Sequence, residues 1–134
     1  MAAMKKAAAI ATEAQEQEAL FKWAEFNGRI IPELSLLFHI PNGGKRDIIT
    51  ASRLKAQGVK RGVPDLFLPI PRGTHHGLFI EMKRIGATTT TEQEEWLVTL
   101  QSVDYKAVVC EGWVAAADTI KRYLNLPRYY GHKL

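Results

Sequence analysis

Apolar residues follow two rhythms along this chain, one helical and one extended. From Thr12 to Asn27 the spacing is helical. Leu20, Phe21, Trp23, Ala24 and Phe26 supply an apolar side, Thr12 fits an N-cap, and Asn27-Gly28 fits a C-terminal stop. Pro32-Glu33 breaks that pattern. Leu34 to Ile40 then predicts a first strand, and Pro41-Asn42-Gly43-Gly44 a turn or loop. A helix is expected after Lys45-Arg46-Asp47, reaching about Gln57 and closed by Gly58. Asp65 to about Leu68 predicts a second strand and Leu78 to Lys83 a third, joined as a hairpin through Arg72 to Gly77. Thr91 to Ser102 predicts a helix with Trp96, Leu97 and Leu100 as its stripe. Tyr105 to Cys110 predicts a fourth strand. Trp113 to Leu124 predicts a closing helix with Trp113, Val114, Ala117, Ile120 and Leu124 turned inward. This order of elements implies an α/β fold, with a central mixed sheet of about four strands flanked by helices.

Two of the strands carry charge where a buried strand should have none. Side chains alternate across a strand, so Phe79, Glu81 and Lys83 share one face while Leu78, Ile80 and Met82 share the other. The hairpin brings Asp65 beside Glu81 and Lys83. Two carboxylates held together repel unless a cation sits between them. An oxygen-rich site with few soft ligands suits Mg²⁺ or Mn²⁺. A lysine alongside could orient a water and offset charge developing on a phosphate. The plain alternative is a solvated Glu81–Lys83 pair on a half-exposed strand, with Asp65 capping a turn after Pro64.

Composition narrows the classes without choosing among them. The 134 residues are 46% hydrophobic and 24% charged, ordinary for one globular domain with a real core. The formal net charge is +4 and the isoelectric point about 9.3, compatible with a nucleic-acid partner. The single cysteine, Cys110, lies in an apolar run and reads as a packed, reduced thiol, with no disulfide framework or zinc pattern. No stretch reads as a secretory signal or a membrane span, so a cytoplasmic setting is the expectation.

Charge is concentrated before Asp65. Lys45, Arg46, Arg53, Lys55, Lys60 and Arg61 face one acid, Asp47, across that segment. A solvated helix face is the usual explanation. Leading directly into Asp65, the run fits a phosphate-contacting surface, to which the Gly43 and Gly44 amides could add donors. On the first helix, Glu13, Gln17, Leu20 and Ala24 fall on one face, although first-turn acids are also favoured by the helix dipole. Gln93 lies one helical step from Trp96 and Leu97 and can face inward. His39 reads as a strand-end polar residue, and the adjacent His75 and His76 cannot both face one site. Arg128, Tyr129, Tyr130, His132 and Lys133 close the chain with bases among aromatics, fitting nucleic acid, a partner subunit or a frayed terminus.

Gly62-Val63-Pro64-Asp65, an apolar strand, and Glu81-Met82-Lys83 together resemble the PD-(D/E)xK nuclease signature. With Pro41-Asn42-Gly43-Gly44, Leu54-Lys55-Ala56-Gln57-Gly58-Val59 and Gln93 in order, the chain resembles the VRR-NUC family, which includes small stand-alone phage and bacterial proteins. The resemblance spans about residues 12–124 of a single domain, 1–134. It implies a restriction-endonuclease-like core and a metal-dependent DNA endonuclease in a bacterial or phage-infected cell. Asp65 and Glu81 would bind Mg²⁺ or Mn²⁺ with the Met82 carbonyl, and Lys83 would orient the nucleophile. Glu13, with Gln17 four residues on, would line the metal site, Glu16 being the competing choice. Gln93 would reach the site and help position the water or Lys83. Asn42, Gly43 and Gly44 would join the basic residues on DNA. Relatives of this kind resemble Holliday-junction resolvases that act as homodimers on branched DNA. Tyr123, Tyr129 and Tyr130 are candidates for such an interface. A restriction-like or single-strand nuclease, or a non-catalytic DNA-binding module of the same fold, are the alternatives.

Overall fold

The computed structural model describes residues 9–41 and 47–129. A four-stranded sheet organises them, with strands β1 (Phe38–His39), β2 (Leu66–Leu68), β3 (Leu78–Lys83) and β4 (Lys106–Glu111) side by side in that order. The first three run antiparallel, and β3 and β4 pair in parallel from Leu78↔Lys106 to Lys83↔Glu111. A parallel pair needs a crossover connection. Helix α3 (Thr91–Ser102) supplies it.

The helices form where the local chemistry starts and stops them. Helix α1 (Glu13–Asn27) opens on a reciprocal capping box between Thr12 and Gln15 and ends at Gly28. Helix α2 (Ile48–Ala56) is capped by the Asp47 carboxylate, which accepts from the Thr50 N–H at 2.7 Å. Helix α4 (Trp113–Leu124) starts at Gly112, which offers no side-chain cap. Glu16 of α1 fills that role, accepting from the Trp113 N–H at 2.8 Å. A Cβ at Gly112 would lie 2.8 Å from the Glu16 Oε2, and its φ of +81° also favours glycine.

Strand alternation divides the core in two. Leu66, Leu68, Leu78, Ile80 and Met82 pack with Leu20 and Ala24 of α1 and Ala116, Ala117, Ile120 and Tyr123 of α4. Leu97 and Leu100 of α3 pack with Ala107, Phe79, Trp96 and Tyr105 on the other side. Each fully buried leucine or isoleucine contributes about 1.5–3 kcal/mol, so these two layers fix where β3 lies. Phe79 stacks on Phe67 with centroids 4.2 Å apart, which fills one end of the α3-side face. Glu81 and Lys83 occupy the other end.

Several expectations need correction. Leu34 to Ile40 is not a continuous strand: Pro32–Leu36 forms a 3-10 turn, and only Phe38–His39 pairs with β2. Pro32 pre-sets the first turn, and Leu34 and Leu37 are buried three residues apart. Phe26 is 87% exposed and Val114 is also exposed, so neither joins the core. The fourth strand sits one residue later than expected, and Asp65 lies just outside β2. Tyr123 is buried and donates its hydroxyl to the Ile70 carbonyl at 2.6 Å, so it cannot serve as an interface residue. The tail is tied down as far as it is described, through a Gly73 N–H to Pro127 carbonyl bond and pairing of Arg72 with Arg128.

Candidate active site

Strand β2 stops one residue short of its partner's charged end. Leu66 pairs with Ile80, and beyond them β3 continues through Glu81, Met82 and Lys83 with β4 alone on its flank. The Asp65 carboxylate takes the place of a ladder carbonyl there, accepting from the Met82 N–H at 2.7 Å. Its backbone is held from the opposite side. The Asp65 carbonyl accepts from the Ile40 N–H at 2.7 Å and lies 2.9 Å from the His39 Nδ1. Pro64 is fully buried, and Gly62 lies against the first turn of α3 at a φ of +87°. The loop is thereby pinned at both ends of its Val-Pro dipeptide, which directs Asp65 along the edge of β3.

Glu81 is 2% exposed and Lys83 6% exposed. The solvated pair considered from sequence is excluded. The Lys83 Nζ lies 3.8 Å from the Glu81 Oε1 and 3.4 Å from the Glu13 Oε1. The second oxygen, Glu81 Oε2, is buried with no hydrogen-bond partner among the described residues. An ionised carboxylate in that state is costly. The carboxyl of Glu81 is accordingly pushed up to about 9, by burial first, then by the neighbouring Asp65 charge. Lys83 opposes the shift and Glu13 adds slightly to it. Without a cation, Glu81 holds a proton at neutral pH.

Other expected site residues fall into three groups. Glu13, half exposed at the start of α1, contacts Lys83, whereas Glu16 is engaged at the α4 terminus. Gln17 is partly buried on the same helix. Gln93 does not join the cluster. Its Oε1 accepts from the Thr90 N–H at 2.8 Å, completing a capping box, and no hydrogen bond links it to Asp65, Glu81 or Lys83. Position three of a helix behind a threonine is the place where glutamine folds back. Arg53, Lys55, Lys60 and Arg61 are exposed. Asn42, Gly43, Gly44, Lys45 and Arg46, and Tyr130 of the tail, lie outside the described residues. His75 and His76 lie before the start of β3, at the opposite end from Glu81. Sequence reasoning missed the role of Glu16, whose only signal was an acid three residues after Glu13.

The donor set is hard and anionic. Asp65, Glu81 and the Met82 carbonyl are oxygen donors at one strand end, and the orphaned Glu81 Oε2 lacks the partner that a cation would be. These residues fit a divalent cation such as Mg²⁺ or Mn²⁺. Among the described residues, no three histidine, cysteine, aspartate or glutamate side chains close into a ready-made cage. The Lys83 ammonium pairs with both Glu13 and Glu81, and so keeps Glu13 from completing one.

An α/β sheet with two carboxylates and a lysine at one strand end defines a nuclease-type fold. The VRR-NUC domain family matches residues 5–113, and the chain belongs to that family. A solved structure described as a VRR_NUC domain protein is 32% identical, with a TM-score of 0.77 over 94% of this chain and 98% of that one. No curated protein matches the chain. No helix among the described residues is long and apolar enough to cross a membrane.

Proposed function

We propose that this protein is a divalent-cation-dependent deoxyribonuclease that hydrolyses phosphodiester bonds, acting on branched DNA as a homodimer. The observation carrying the reading is the buried, unpartnered Glu81 Oε2 beside Asp65 and Lys83. Asp65, Glu81 and the Met82 carbonyl would hold Mg²⁺ or Mn²⁺, with Glu13 at the mouth. When bound there, such a cation would supply an acidified water and draw charge from the scissile phosphate. Lys83, freed from part of its carboxylate pairing, orients the attacking water and offsets charge on the phosphate. Gln93, its oxygen held in the α3 cap, supports the geometry through that helix end rather than by touching the water. Arg53, Lys55, Lys60 and Arg61 contact phosphates on the approach.

Two symmetric cuts on a junction need two sites related by a two-fold axis. With Tyr123 buried, the favoured contact is the edge strand β1, where Phe38 is exposed. The test is cleavage of labelled four-way junctions, flaps, single strands and duplexes with Mn²⁺, Mg²⁺ or EDTA. Paired nicks on the junction, absent in EDTA and in Asp65→Asn, are the expected result. Cutting that persists in EDTA, or in Asp65→Asn at the wild-type rate, contradicts the reading.

A further inference from the structure

Helix α2 is the only helix among the described residues that buries no side chain. Two isoleucines head it nonetheless: Ile48 is 87% exposed and Ile49 73% exposed. Helical spacing sets Ile49 and Arg53 at i,i+4 and Ile48 and Lys55 at i,i+7, so apolar and basic residues share one face. The half-buried Leu54 lies on the opposite side. Asp47, the local acid, is engaged at the cap, with both carboxylate oxygens on Thr50. Lys60 and Arg61 extend the positive surface toward Asp65, and the connector 57–64 spans at most about 30 Å even fully extended.

A protein partner is disfavoured where this face would meet its own copy, because cations would oppose cations. A polyanion carrying accessible apolar surface matches both halves of the pattern. Continuous duplex presents phosphates but keeps its base faces stacked. A branch point, nick or flap presents phosphates beside a base face that can be uncovered. We propose that α2 is a wedge whose Ile48 and Ile49 cover the terminal base pair at a DNA discontinuity while Arg53 and Lys55 hold the flanking phosphates. It gives the preference for branched DNA a physical origin, and it rests on the nuclease reading only for its consequence, since binding is measured without cutting.

The full-length protein is titrated in EDTA against a labelled three-way junction and a continuous duplex of matching length, with 2-aminopurine at the branch. The wild type is expected to bind the junction at least about tenfold tighter and to raise the 2-aminopurine fluorescence. An Ile48→Ser/Ile49→Ser variant, its fold checked by circular dichroism, should bring the ratio within about twofold and leave the fluorescence flat. Arg53→Gln/Lys55→Gln should weaken both DNAs alike and reduce the salt slope by about 2. An unchanged junction-to-duplex ratio in the serine variant, equal wild-type affinities for both, or conversion of a dimer to a monomer by the serines overturns the wedge. If the ratio responds but no cation supports cutting, the nuclease reading fails and the wedge stands. If cutting is intact and the ratio does not respond, the reverse holds.

Discussion

At the scale of single residues, the centre of the molecule is one carboxyl group that is buried, beside another acid, and only partly matched by a lysine. Folded Glu81 keeps its proton up to about 9, while in the unfolded chain it gives the proton up near the ordinary glutamate value of 4.5. Between those values the folded state binds more protons, so stability falls as pH rises through that window. Thermal unfolding of the metal-free protein in EDTA should show that decline, and Glu81→Gln should flatten it. Lys83→Met should lower cleavage by about 10²–10³, the range for losing one group that meets charge in the transition state, with unfolding little changed; steady-state rates check this. Glu16→Ala should cost about 1 kcal/mol through the lost α4 cap and lower the melting temperature by about 3–5 °C. The identities of Asp65, Glu81 and Lys83 and their common strand end were legible in sequence, because alternation dictates which side chains share a face. Their burial was not, since it depends on α3 and α1 arriving from distant parts of the chain. The fold-back of Gln93 was signalled by Thr90 three residues earlier, but inward helical spacing also fitted a reach to the site.

At the scale of elements, the site depends on a loop held from two sides. Gly62 sits where a Cβ would lie 2.7 Å from the Glu92 carbonyl carbon, at a φ of +87°. Gly62→Ala should therefore either shift the first turn of α3 or lift the loop, costing about 1–3 kcal/mol. Cleavage should fall by more than the small loss of folded protein explains; rates normalised to folded fraction by circular dichroism check this. Element boundaries were well signalled where caps and periodicity agreed, as in α1, α3, α4 and β3. They misled at Leu34 to Ile40, where a β-prone run follows Pro32. The proline and the three-residue spacing of buried Leu34 and Leu37 favour a 3-10 turn, and only the last two residues before Ile40 reach the sheet. Phe26 and Val114 satisfy a helical stripe by count yet lie exposed, because the stripe is narrower than the list of apolar residues.

At the scale of the whole molecule, the order β1-β2-β3-β4 puts β1 and β4 at the edges and β3 between its neighbours, its charged end extending past β2 and flanked by β4 alone. No local pattern specifies that order. It follows from the hairpin and the α3 crossover together. Phe38 is exposed on the edge strand β1. Phe38→Lys should convert the proposed dimer to a monomer by light scattering and replace the proposed paired junction cuts with single nicks. The proposed chemistry turns on the proton held by Glu81 and the cation that would replace it. Calorimetric titration with Mn²⁺ at pH 8, in two buffers of different ionisation enthalpy, measures both at once. Binding by the wild type with release of about one proton per chain, and no detectable binding by Glu81→Gln, is the predicted result. Equal Mn²⁺ affinity in Glu81→Gln, or wild-type binding with no proton released, would contradict it.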